Sequence, residues 1–151
     1  MTSGTLRLAA LRALFALGFA LAGCKASPSR PAGVLARPLD QLTKADLERV
    51  CASLGWDGDG VSSASSGAAS QMAARCSRES PDGVEGPDRK RRRHMLVEIY
   101  KDRPDGLERI KKRMESEQAA YRVEGERLLG VSLVPGAKDQ AQVMLERMAG
   151  K

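Results

Sequence analysis

The sequence is poor in aromatic residues and nearly without histidine. Phe, Trp and Tyr make up 3% of its 151 residues, and both phenylalanines, Phe15 and Phe19, fall within the first 23. Any core beyond them has to be built from Leu, Val, Ile, Met and Ala around Trp56, Tyr100 and Tyr121. A single histidine, His94, excludes a histidine pair for zinc, and its neighbouring arginines do not orient it as a base. No serine sits in a nucleophile-elbow motif, and the carboxylates scatter over predicted polar helix faces. Asp57-Gly58-Asp59-Gly60 opens like a calcium loop, but the next alternate position is Val61. The twelfth, where a bidentate Glu must close the cage, is Ala68. These absences argue against an enzyme and predict neither metal nor cofactor. Long apolar runs are also lacking: Ala13 to Gly23 stops well short of the roughly 20 residues that span a bilayer.

What the amino end does contain is a secretory layout. Arg7 and Arg12, with no acidic residue near them, lead into that short apolar run and then into small residues, the order of a cleavable signal. Leu21-Ala22-Gly23-Cys24 resembles the lipobox of bacterial lipoproteins. The resemblance covers only the leader, and no motif assigns the rest of the chain to a family. It implies cleavage of residues 1–23, lipidation of Cys24 with acyl chains such as palmitate, and a lipid-anchored place in the cell envelope. In a host with two membranes, Lys25 rather than Asp after the cysteine implies the outer membrane, facing the periplasm. Two or three acyl chains make such an attachment durable where one does not.

Residues 24–38 hold Pro28, Pro31 and Pro38 among small and polar residues, and read as a Pro-rich tether. Residues 39–151 have the size of a single domain. Once Arg7 and Arg12 leave, the 25 basic residues become 23 against 19 acidic, a surplus of four too mild to imply a polyanion. With Cys24 lipidated, Cys51 and Cys76 remain and can pair in one way. That disulfide suits a small exported domain with a modest core, and closing a loop of about 25 residues contributes roughly 3–4 kcal/mol.

Within the domain, Thr43 and Asp46 have capping-box spacing, and Leu47, Val50, Cys51 and Leu54 share one helical face ending at Gly55. Val61 to Ser70 reads as loop, Gln71 to Glu79 as either a short helix or a half-buried strand, its alternation suiting the strand, and Ser80 to Asp88 as a long turn. Met95 to Tyr100 has strand composition. Leu107, Ile110 and Met114 predict a helix over about 105–117. Alternation in 120–124 and 127–134 around Gly125-Glu126 favours a hairpin with a type II′ turn over the rival, one long helix through Leu129, which Gly125, Gly130 and the Val-rich end oppose. Ala141, Met144, Leu145 and Met148 give a last helix. The expected fold is α+β, in the order α-β-β-α-β-β-α, with an antiparallel sheet and helices on one face; the alternative is a mostly α-helical bundle. This order is similar to that of small α+β modules common in envelope lipoproteins and in PepSY-type domains.

One surface feature stands out: Arg89, Lys90, Arg91, Arg92 and Arg93, expected at a hairpin tip. It is a candidate contact for polyanions such as an anionic glycolipid, but a solvated tip that blunts a strand edge is the favoured reading. No aromatic interleaves it, so nucleic acid is not an expected partner. The function read from sequence is a membrane-anchored, non-catalytic interaction module that meets an envelope protein or glycolipid. The alternative is an enzyme or enzyme inhibitor with a pocket built by the fold around Trp56.

Overall fold

The computed structural model describes residues 33–150. The leader, the lipobox with Cys24 and most of the tether lie outside the described residues. A 3₁₀ turn at Leu39–Gln41 precedes α1 (Lys44–Ser53), β1 (Asp57–Ser66), β2 (Ala69–Glu85) and β3 (Arg91–Lys101). There follow α2 (Pro104–Ser116), β4 (Ala120–Glu124), β5 (Arg127–Val134) and α3 (Lys138–Met148). The strands form one five-stranded antiparallel sheet in the order β1-β2-β3-β5-β4. The fold is α+β, and the helical bundle is not formed.

The start of α1 follows from its capping box. The Thr43 backbone N–H and hydroxyl both donate to Asp46 Oδ2, at 2.9 and 2.8 Å, which satisfies groups that a helix terminus otherwise leaves orphaned. The helix buries Leu47, Val50 and Cys51, and Gly55 stops it with a φ of 72°. The β4–β5 hairpin forms with a positive φ at Gly125 but not at Glu126, as the predicted turn requires.

Two stretches expected to be irregular are strands. Val61 to Ser70 belongs to β1 and the start of β2, joined at Gly67 with a φ of 60°. Its Ser and Ala residues carry no apolar alternation, so the backbone ladder to β2 fixes this strand and side-chain burial does not. The long turn expected over Ser80 to Asp88 is mostly strand as well. Glu79 and Val84 both lie opposite Arg92, so the intervening residues bulge out of a ladder that resumes to Glu85. Pro81, which lacks a ladder donor, sits in that excursion.

Helices cover both faces, not the one expected. Met95, Val97 and Ile99 of β3 point with Leu129, Val131 and Leu133 of β5 into the main core under α1 and α3. Alternation turns Tyr100 and its partner Leu128 to the opposite face, where Leu107 and Met114 of α2 pack on them. Gly130 makes the close approach of α2 feasible: a Cβ there would stand 2.4 Å from Met114 Cε.

The segment from Gly33 to Pro38, expected to belong to the tether, packs on the domain. Leu35 is fully buried in the main core with Val34 packed beside it. The Leu35 N–H donates to the Met148 carbonyl at 2.8 Å, and Arg37 pairs with Asp46. Arg122 Nη2 donates to the Leu35 carbonyl at 3.0 Å, and the Leu39 N–H donates to Glu124 Oε2 at 2.8 Å, so this segment lies along the β4 edge. Two apolar residues flanked by prolines were enough to anchor it, because burying one leucine stabilises by about 1.5–3 kcal/mol. The packed domain therefore begins by Gly33 and not at Leu39.

Candidate functional site

Only the start of the basic run occupies the expected hairpin tip. Arg89, in a left-handed turn conformation with a φ of 59°, and Lys90 precede β3, while Arg91, Arg92 and Arg93 lie within it and alternate between sheet faces. Most of their charge is answered locally. Lys90 Nζ lies 2.6 Å from Glu79 Oε1, which holds that carboxyl below the usual range and the amine above it. Arg91 Nη1 donates to the Pro81 carbonyl at 3.2 Å. Arg92 Nη1 donates to Ser77 Oγ at 3.1 Å and lies 3.7 Å from Asp57 Oδ2. His94 is exposed on the same face as Arg92.

Arg93 behaves differently. It faces the main core side, is 8% exposed, and donates from Nη1 to Gln140 Oε1 in the first turn of α3. Its partner across the ladder is Arg78, whose guanidinium carbon lies 4.6 Å above the centroid of the Trp56 ring. Neither Arg78 nor Arg93 pairs with an acid among the described residues. Sequence reading missed Arg78, although the signal was present: it lies two residues beyond Cys76, so strand alternation puts both on one face. Trp56, around which the core was expected to form, is buried at 5% exposure.

A second constellation lies on the α2 face. Glu98, 3% exposed, accepts Gln71 Nε2 at 2.8 Å and Arg113 Nη2 at 3.0 Å, and also accepts the Tyr100 hydroxyl. Burial, then the hydrogen bond to Glu98, pushes the Tyr100 hydroxyl above its ordinary pKa. Burial works against the Arg113 charge, but the bond to Tyr100 and the Glu98 carboxylate outweigh it and raise that pKa. The four groups largely satisfy one another and clamp α2 to β2 and β3. Beside them opens a shallow cleft of about 270 Å³, lined by Ala64, Ser66, Gln71, Tyr100, Asp102 and Ile110. Trp56 does not line it.

Cys51 and Cys76 are joined by a disulfide that ties α1 to β2 inside the main core. Among the described residues no three metal-binding side chains converge, and no helix is long and apolar enough to cross a membrane. No protein-family model, curated protein or solved structure matches the chain.

Proposed function

We infer that the protein is an envelope lipoprotein, cleaved before Cys24 and held at a membrane by acyl chains on that residue. Its domain serves as a non-catalytic interaction module that presents its basic end to an anionic envelope protein or glycolipid. The observation that carries this reading is the layout along α3. Gln140, bonded to Arg93, lies in the first turn of the helix, and Met148, against which Leu35 docks, closes it. Eight helical residues separate the two by about 12 Å. The described chain thus joins the domain beside the carboxyl end of α3, while Arg93 and its ladder partner Arg78 lie toward the amino end. The buried Cys51–Cys76 disulfide is in keeping with export, because such bonds persist in oxidising compartments.

Intact mass of the membrane-extracted protein tests the reading. The expected species begins at Cys24, carries acyl mass there, and has no free thiol at Cys51 or Cys76. A molecule that retains Met1 and lacks acyl mass would overturn it. The second reading, an enzyme or enzyme inhibitor, draws on the cleft over Gln71 and Tyr100. It requires that filling the cleft with Ala64→Trp abolish an activity that charge reversal at Arg91, Arg92 and Arg93 leaves intact.

A further inference from the structure

We propose that Arg78, Arg93 and the amino-terminal turn of α3 form a binding site for a phosphoryl group, with Trp56 beneath it. The site deepens the functional reading above by naming the chemistry that the basic end recognises. Three observations converge on it. The first is charge without compensation. Arg78 and Arg93 are directly opposed on neighbouring strands and face the same side. Like charges so placed destabilise a sheet unless something negative lies between them, and no acid among the described residues pairs with either.

Unmade hydrogen bonds are the second observation. Arg93 is more than nine-tenths buried, yet its Nε–H has no partner, and neither has the Nε1–H of the equally buried Trp56. A buried donor left unpaired is costly, so an acceptor that reaches either one is favoured.

The third is the helix. Arg93 reaches α3 through Gln140, in the first turn of an eleven-residue helix whose N-cap, Ala137, supplies no side-chain cap. The leading N–H groups of such a turn have no partner within the helix and carry its positive dipole end. Asp139 in the same turn is exposed, where solvent screens its charge. Guanidinium forks match the geometry of phosphate oxygens better than point charges do, so a phosphoryl group fits this donor set. It is supplied either by a phosphorylated lipid headgroup or by free phosphate.

Trp56 is the single tryptophan of the chain, so its fluorescence reports directly on the site. The purified full chain is titrated with inorganic phosphate, with sodium acetate at matched ionic strength as control. It is then mixed with phosphatidylcholine vesicles, plain or carrying about one tenth lipid A. The expected result is a saturable change in Trp56 emission with phosphate and not with acetate. Apparent affinity should fall about tenfold in Arg78→Gln and stay unchanged in Arg109→Gln, an exposed position on α2. Arg78 is exposed, so its replacement keeps the test valid even if Arg93→Gln fails to fold. A larger response to the lipid A vesicles than to plain ones assigns the ligand to a headgroup. Response to phosphate alone assigns it to the free anion. Silence toward phosphate, an equal response to acetate, or full affinity in Arg78→Gln overturns the site. The two proposals fail separately: an unlipidated Cys24 leaves phosphate binding standing, and silence toward phosphate leaves the anchor standing.

Discussion

Reducing the Cys51–Cys76 bond tests how much of this domain's stability comes from a covalent constraint and how much from its core. Both cysteines are buried, at 4% and 1% exposure, and they lie 25 positions apart in sequence. The chain-entropy relation for a loop of that size gives about 3.5 kcal/mol. Unfolding entropy near 2.1 cal/mol/K per residue, over a domain of roughly 120 residues, amounts to about 0.25 kcal/mol/K. The two figures together predict a fall in Tm of about 14 °C on reduction. Thermal melts followed by circular dichroism, with and without a phosphine reductant, measure it. Cys51→Ala with Cys76→Ala should fall at least as far, because it also removes two buried sulfurs. A drop smaller than about 3 °C would refute the reasoning. It would mean that the α1–β2 contact already restricts the reduced unfolded chain, or that packing alone holds α1.

Three further outcomes follow from the packing. The Thr43 backbone N–H, joined by its hydroxyl, Arg49 and Arg37, holds the Asp46 carboxyl down to about 2 against the opposing effect of burial. A carboxyl depressed in the folded state adds stability above its unfolded pKa and loses it as pH falls through the folded value. Stability should therefore decline between about pH 4 and pH 2, and urea titrations of Asp46→Asn should show a flatter decline across that window. Glu98→Ala should cost about 2–4 kcal/mol in urea unfolding, since it strands Tyr100, Gln71 and Arg113 around a vacated buried site; a loss below 1 kcal/mol would show water replacing the carboxylate at no penalty. At Gly33, a Cβ would stand 2.2 Å from both the Gly150 nitrogen and the Met148 carbonyl oxygen. Gly33→Val should free the segment through Arg37, read as rapid amide exchange at Leu35 with the sheet unchanged.

Sequence made legible what side-chain periodicity and capping encode. Thr43 and Asp46 marked the start of α1, Gly125-Glu126 the last hairpin, and the cysteine count the disulfide. β1 escaped because its order lies in backbone hydrogen bonds between serines and glycines that bury almost nothing. The bulge after Glu79 escaped because its Pro and Gly mimic a turn, when they only let the strand leave the ladder and rejoin it. The placement of α2 on the far sheet face was hidden for another reason. Amphipathic helices state which side they bury, but not against which face of a sheet, and the missing side chain at Gly130 is what admits Met114. At the candidate site the basic run drew attention as a block, and alternation then dispersed it. Only Arg93 joined the buried arrangement, alongside an arginine fifteen positions earlier that no run contained.

The docking of Gly33 against Gly150 means that the polypeptide enters and leaves the folded body through a single doorway. An affinity tag or reporter placed just after Gly150 would press on the seam that seats Leu35. The same cargo spliced into the β1–β2 turn at Gly67 would hang clear of that doorway. Fusions intended to display, pull down or image this molecule should be spliced there.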